Sequence, residues 1–312
     1  MNRLTTSQGG FDLARFPEHP RDPFRAWDAA DEYLLRQLEG IDGAEPVDLS
    51  GAVVVVGDRW GALTTVLAGH RPVQITDSYL AQRATLANLA RNGDDPDTVR
   101  LLSARDTPPE RIDVLLVRVP KSLALLEDQL HRLAPAVHAG TVVIGTGMVK
   151  EIHTSTLKLF ERIIGPTRTS LAVKKARLIF CTPDPALART PSPWPHRYDM
   201  PDGVGAVSGR TVVNHAGIFC AERLDIGTRF FLNHLPERSG RDRIVDLGCG
   251  NGVVGTSAAL ANPEATVTFI DESYQAVGGG RGPVAGHPGA GARGAGGGGG
   301  GGGGGPPGGV AR

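Results

Sequence analysis

The chain has 312 residues, with 33 basic and 33 acidic side chains and a net charge of zero, and this length allows about two domains. Its three cysteines, Cys181, Cys220 and Cys249, show no CxxC or CxxH spacing, which argues against a disulfide framework or metal site and for a reducing cytoplasm. The longest aliphatic run is Val53 to Val56, and MNRLTTSQGGFDLARF at the start holds no apolar stretch, so neither membrane insertion nor secretion is expected.

In chain order, Asp22-Pro23 predicts a helix start as N-cap and first helical residue. Trp27, Ala30, Leu34 and Leu38 share one face of that helix, and Gly40 is its stop. AVVVVGDRWGALTTVLA followed by PVQITDSYL reads strand, turn, helix, strand, with Asp77 closing the unit. Apolar runs at Ile112 to Val119 and Val142 to Ile144 alternate with the stripe Leu123, Leu126, Leu130 and Leu133, the alternation of a parallel α/β sheet. His153 and His215 have no recognisable partner and read as helix-end or loop residues. Pro183 to Gly209 is rich in proline and turn residues and reads as a joint between domains.

Residues 244 to 252 then read IVDLGCGNG, and a further strand, TVTFID, ends in Asp271. Glycines 248, 250 and 252 allow positive φ angles and close backbone approach in a strand-loop-helix crossover. Asp246 leaves a buried strand where its carboxylate suits loop amides or a cationic amino-acid group. Asp271 sits where doubly wound folds place the acid that takes both ribose hydroxyls. Gly250 to Gly255 is also a literal GxGxxG, the dinucleotide fingerprint, so NAD competes with S-adenosyl-L-methionine for this loop. An NAD site would expect an apolar residue at 246, and the D-x-G-x-G-x-G arrangement favours S-adenosyl-L-methionine, which has no pyrophosphate to seat. TVTFIDESY repeats the end of the earlier unit, with Asp271 in the place of Asp77. The first copy keeps only Gly57 and Gly61 in its turn, and Arg59 and Trp60 occupy its cofactor space.

The segments FDLARFP, FRAWDAADEYLL, VPKSLALLEDQL, EIHTSTLKLFE, KKARLI, LDIGTRFFLNHLPE and IVDLGCGNG, in this order from about residue 11 to 277, resemble the bacterial ribosomal RNA guanine-N2 methyltransferases of the RlmG and RsmC type. The resemblance implies tandem class I methyltransferase-like (Rossmann-like) α/β domains, of which the first is degenerate. It implies S-adenosyl-L-methionine as cofactor and a guanine amine of protein-free large-subunit rRNA as acceptor. Its cofactor residues carry over to Asp246, Gly248, Gly250, Gly252 and Asp271, with Phe219 and the Asp225 to Thr228 stretch placed near the cofactor. It implies no metal and no membrane, and we expect a monomer. The Asn-Pro-Pro-aromatic motif that orients the target amine in that family occurs nowhere in the 312 residues, so no catalytic residue carries over.

The expected organisation is therefore a degenerate methyltransferase-like domain over 1–190, a Pro-rich connector over 191–209, an incomplete cofactor-binding domain over 210–277 and a Gly-rich tail over 278–312. That tail holds 20 glycines in 35 residues, a composition expected to stay disordered and one that reads as a frameshift, a truncated gene or a sequencing artefact. The incomplete domain is expected to leave open sheet edges and apolar faces. Charge is uneven, with 15 basic and 20 acidic residues over 1–149 against 15 and 10 over 150–250, which makes the middle of the chain the expected RNA-facing surface. Two readings stand for Lys174, Lys175 and Arg177: a lysine-protected strand edge or phosphate contacts. Trp194, His196, Arg197 and Tyr198 likewise either stack on RNA bases or anchor the connector. Three functions remain open: the rRNA methyltransferase, a non-catalytic remnant with at most RNA binding, and an NAD enzyme.

Overall fold

Four consecutive valines can be buried together only in a strand covered on both faces, and Val53–Val56 (β3) is such a strand, with all four side chains buried. The computed structural model describes residues 3–43, 45–220 and 223–279; the Gly-rich tail lies outside them, apart from its first two residues. Strand β3 lies inside a seven-stranded sheet. Beside it lie Val73–Thr76 (β4) and Arg100–Ser103 (β5) on one side, and Ile112–Arg118 (β6) and Val137–Met148 (β7) on the other. These five run parallel. Ala176–Cys181 (β9) is antiparallel between β7 and the short edge strand Thr167–Thr169 (β8). A hairpin of Arg3–Thr6 (β1) and Gly9–Asp12 (β2) precedes the sheet.

Alternation along the strands divides the core in two. Val54, Val56, Leu115, Val117 and Val143 face the helices Leu123–Leu133 (α4) and Thr154–Ile163 (α5), where Leu126, Leu130, Leu133 and Phe160 meet them. Val53, Val55, Val114, Leu116 and Ile144 face Ala29–Leu38 (α1) and Ala62–Val66 (α2). Tyr79–Asn92 (α3) follows β4. Of the predicted Leu stripe, Leu123 is 39% exposed and the other three are buried.

Two local expectations are corrected. The first helix begins at Asp28, not Asp22. Asp28 accepts from the Ala30 N–H at 2.8 Å while Asp31 accepts from the Asp28 N–H at 2.9 Å, a reciprocal cap that outcompetes the upstream Asp-Pro; Asp22 instead closes a turn by accepting from the Phe24 N–H. Lys174 and Lys175 do not lie on a strand edge. Their φ angles of 49° and 62° form the two-residue turn of a tight hairpin, closed by Val173 and Ala176, and Lys174 reaches Glu32 at 3.1 Å.

The order of the sheet reverses between β3 and β6, and the crevice at such a switch point is where open α/β sheets bind ligands. Here the chain fills it with its own charges. Arg118, at the end of β6, is 1% exposed and pairs with Asp28, with Asp31 at 3.2 Å and with Glu151 at 3.0 Å. Arg59, from the loop after β3, pairs with Glu151 at 2.8 Å. Burial pushes Asp31 up to about 7 against the pull of Arg118. Burial acts to raise Glu151 as well, but hydrogen bonds from Arg59, Met148 and Arg118 hold it at about 2. Trp60 packs on the α1 and α2 side of the core.

The second unit is smaller. His196–Asp199 (β10) and Thr211–Asn214 (β11) form an antiparallel pair, so four residues of the predicted connector are strand. Arg243–Leu247 (β12) and Thr266–Ile270 (β13) form a two-stranded parallel sheet. Ile226–Leu232 (α6) and Val253–Ala261 (α7) pack with Met200, Val204 and Val207 into a small core. Among the described residues the other face of β12 and β13 is open, with Val245 59% and Leu247 78% exposed, as expected for an incomplete sheet. Trp194 stacks on His196 with ring centroids 3.8 Å apart and donates from its indole N–H to Glu127 of α4 at 3.2 Å; Ser192 donates to Asp128. The anchoring reading of this aromatic group is the one these contacts support.

Arg118→Ala leaves three buried or half-buried carboxylates facing one another. Urea denaturation is expected to show a loss of about 3–5 kcal/mol, the usual cost of removing one partner from a buried ion pair.

Candidate cofactor site

The loop between β12 and α7 is shaped by its glycines. Gly248, Gly250 and Gly252 have φ of 72°, 53° and 76°, the left-handed region that side chains resist. The amides of Gly248 and Cys249 donate to the Ile270 carbonyl at 2.8 and 3.0 Å, which ties the loop to the end of β13. Nothing lies within 4 Å of where a Cβ on Gly248 would point, so that side of the loop is open to a ligand.

Both predicted acids meet this loop. Asp271, one residue past β13, accepts from the Gly250 N–H at 2.9 Å through Oδ2 and from the Ser273 N–H at 3.0 Å through Oδ1. Asp246 Oδ2 accepts from the Gly255 N–H at 2.8 Å; its other oxygen accepts no hydrogen bond among the described residues. Burial raises the Asp246 carboxyl above its ordinary value, with the nearby Asp271 adding to the effect and the Gly255 amide opposing it. Burial, then Asp271 and Asp246, push the Cys249 thiol up to about 12, so Cys249 stays protonated and packs as an apolar residue. Ionised carboxylates have about four acceptor positions, and each acid here uses one or two on the backbone.

The structure therefore brings together Asp246, Gly248, Gly250, Gly252 and Asp271. Ile218 lies 3.9 Å from a would-be Cβ on Gly250, which sets the neighbouring Phe219, 74% exposed, close to the loop. The Asp225 to Thr228 stretch is the cap of α6, with Asp225 accepting from the Thr228 N–H; among the described residues it makes no hydrogen bond to the loop. His153 is the N-terminal cap residue of α5, and His215 lies 3.2 Å from Arg105 with its pKa lowered by burial and by that cation. Among the described residues no cluster of His, Cys, Asp or Glu could hold a metal, and no helix is long and apolar enough to cross a membrane.

Three residues of the site escaped the motif reading. Gly255 is needed because a Cβ there would fall on the Phe269 ring and 2.8 Å from Asp246 Oδ2; only its place in the competing GxGxxG pointed to it. Asn214, at the end of β11 and fully buried, accepts from the Asn251 amide at 2.9 Å, and its own amide nitrogen finds no partner among the described residues. Ser273 was visible only as part of the repeated DSY and ESY segments. The two units meet there: the Tyr79 N–H donates to the Glu272 carbonyl at 2.9 Å and the Tyr274 N–H to the Asp77 carbonyl at 2.8 Å. Ser78 donates to Glu272, and Ser273 donates to Asp77 at 2.6 Å. Burial pushes Asp77 up to about 7, with Glu272 and Asp271 adding to the effect against hydrogen bonds from Ser273 and Gln275.

The RLMG N-terminal domain model matches residues 1–185, and the methyltransferase small domain model matches residues 209–289. A Streptomyces griseus protein named ribosomal RNA large subunit methyltransferase G is 81% identical over 277 residues, covering 89% of this chain and 72% of that protein. The chain belongs to the RlmG family. A relative of the same name from Aeromonas hydrophila is 46% identical over 282 residues, covering 88% of this chain and 70% of its own length. Among solved structures, the T. thermophilus 16S rRNA methyltransferase RsmC, in complex with AdoMet and guanosine, superposes with a TM-score of 0.60 at 18% identity. It covers 88% of this chain and 69% of that one, a likeness of fold.

Gly255→Ala is expected to push α7 off β13 and to pull Asp246 from its amide, at a cost of about 1–3 kcal/mol typical of overpacking. Differential hydrogen exchange should place the loss in β12, α7 and β13 and leave β3 to β7 unchanged.

Proposed function

We propose that this chain carries the donor half of an S-adenosyl-L-methionine-dependent rRNA methyltransferase of the guanine-N2 type, directed at large-subunit rRNA. The observation that carries this reading is the convergence of Asp246 and Asp271 on a loop of three left-handed glycines in a chain of the RlmG family. The same reading takes residues 1–190 as a degenerate methyltransferase-like domain, 191–209 as its connector and 210–277 as the incomplete cofactor-binding domain.

The residues present fit the cofactor. Asp271 stands at the strand end where a ribose would present two hydroxyls. The unfilled space beside Gly248 admits the nucleoside, and the Asp246 oxygen that accepts no hydrogen bond suits the cationic amino-acid group. Bound there, S-adenosyl-L-methionine supplies an electrophilic methyl on a sulfonium. The chain's own part is to hold and orient the donor. On the acceptor side, a guanine amine has to be flipped out and held in line, and the sequence has no Asn-Pro-Pro-aromatic run to do it. Positioning of this kind can account for several kcal/mol of a barrier, so a chain without it binds donor and leaves the methyl in place.

Titration calorimetry is expected to show weak S-adenosyl-L-methionine binding and none of NAD. Asp271→Ala should weaken it at least roughly tenfold, the effect of losing charge-assisted hydrogen bonds. Tight NAD binding, or an Asp271→Ala affinity equal to the parent's, would sink the cofactor assignment. A second measurement separates binding from catalysis. With protein-free large-subunit rRNA and labelled methyl donor, the 312-residue chain should incorporate nothing, whereas the Streptomyces griseus relative should label the RNA. Incorporation by this chain that Asp246→Ala abolishes would overturn the non-catalytic part of the reading.

A further inference from the structure

We propose that Asp77, an acid of the first unit, is a positioning residue for the cofactor loop of the second, acting through Ser273 on Asp271. The inference rests on the cofactor reading above. Ser273 is gripped from two sides. Its hydroxyl donates to Asp77 Oδ2 at 2.6 Å, and its backbone N–H donates to Asp271 Oδ1 at 3.0 Å. The other oxygen of Asp271 accepts from the Gly250 N–H at 2.9 Å. Four residues, Asp77, Ser273, Asp271 and Gly250, are thus linked bond by bond from the end of β4 to the loop.

Each link is constrained from outside the chain of bonds. Asp77 Oδ1 accepts from the Gln275 N–H at 2.8 Å, so the carboxylate cannot swing away without losing a second bond. The Ser273 hydroxyl also accepts from the Ala276 N–H at 3.1 Å, which fixes its rotamer and the start of the helix Tyr274–Gly279 (α8). With both sides of Ser273 held, its N–H has one direction, toward Asp271. That carboxylate is then set before any ligand arrives, which removes an ordering cost from binding. Release of Ser273 frees Asp271 to rotate, and Gly250, at φ 53°, loses the bond that keeps its amide turned toward the acid.

The test uses the full chain and reads Gly250 directly. Amide hydrogen exchange followed by NMR is measured on the parent, Asp77→Asn, Ser273→Ala and Tyr274→Phe. Tyr274→Phe removes a hydrogen bond of the same interface, from the Tyr274 hydroxyl to Gln82, without touching the four linked residues. The expected result is a Gly250 amide exchanging roughly tenfold faster in Asp77→Asn and Ser273→Ala, with a similar loss of S-adenosyl-L-methionine affinity, the usual scale for one charge-assisted bond. Amides within α7 should stay as protected as in the parent, and Tyr274→Phe should match the parent throughout. Gly250 exchange unchanged in Ser273→Ala, or raised equally by Tyr274→Phe, overturns the proposal. Ser273→Ala keeps the backbone N–H and decides the matter should Asp77→Asn fail to fold. A parent chain that binds no S-adenosyl-L-methionine defeats the cofactor reading, and Gly250 exchange still decides the link.

Discussion

Two parallel strands with one covered face are not a stable sheet in water, because a parallel pair needs both faces buried. The contact between Asp77-Ser78-Tyr79 and Glu272-Ser273-Tyr274 is therefore the constraint on which the second unit depends. It is nearly symmetric: each segment donates a backbone N–H to the other, and each acid receives the other's serine hydroxyl. The tyrosine rings meet edge to face at 6.4 Å. A self-complementary patch of this kind is what two copies of one ancestral fold would form if they associated about a two-fold axis. Gln275, reaching Asp128 of α4 at 3.1 Å, and Arg105 beside His215 extend the contact.

The two copies solve the same local problem with different acids. In both, the loop's first glycine and the glycine that caps the helix are left-handed, Gly57 and Gly61 at 74° and 75° against Gly248 and Gly252 at 72° and 76°. In both, the third residue of the following helix donates its N–H to a carboxylate at 2.8 Å: Thr64 to Asp58, Gly255 to Asp246. The first copy takes that acid from within the loop and buries it, and Asp58 is raised by burial as a result. The second takes it from the strand and leaves the loop itself clear. With Arg59 where the second unit has Gly250, and with Arg118 filling the crevice, the first unit has a charge-filled interior at this place.

Much of this was legible in the sequence because it rests on short-range pattern. The all-buried Val53–Val56, the alternating faces of β6, the stripe of α4 and the glycine loop with its two acids follow from periodicity and residue type alone. The start of α1 was misplaced because two acids competed as caps, and only the reciprocal bond between Asp28 and Asp31 decides between them. The lysine turn was misread because two consecutive non-glycine residues at positive φ are rare, so nothing in Lys174-Lys175 announces a hairpin. Ser273 and Asp77 could not be paired from sequence, since their contact spans 196 residues and depends on how two units dock.

The two units place the acids at their strand ends differently. By strand position Asp77 corresponds to Asp271, since each follows the last residue of its strand. By contact it corresponds to Glu272, since each accepts from the other copy's serine. The second unit has one residue more between the strand end and its Ser-Tyr pair, so that Glu272 takes the docking contact and Asp271 faces the loop. Asp77 gives both of its oxygens to the docking contact, one to the Ser273 hydroxyl and one to the Gln275 N–H. With Glu272 occupied at the docking contact, Asp271 stays beside the loop, facing Gly250. The unit with two acids after its strand thus has one at the docking contact and one at the glycine loop, whereas the unit with a single acid has only the first.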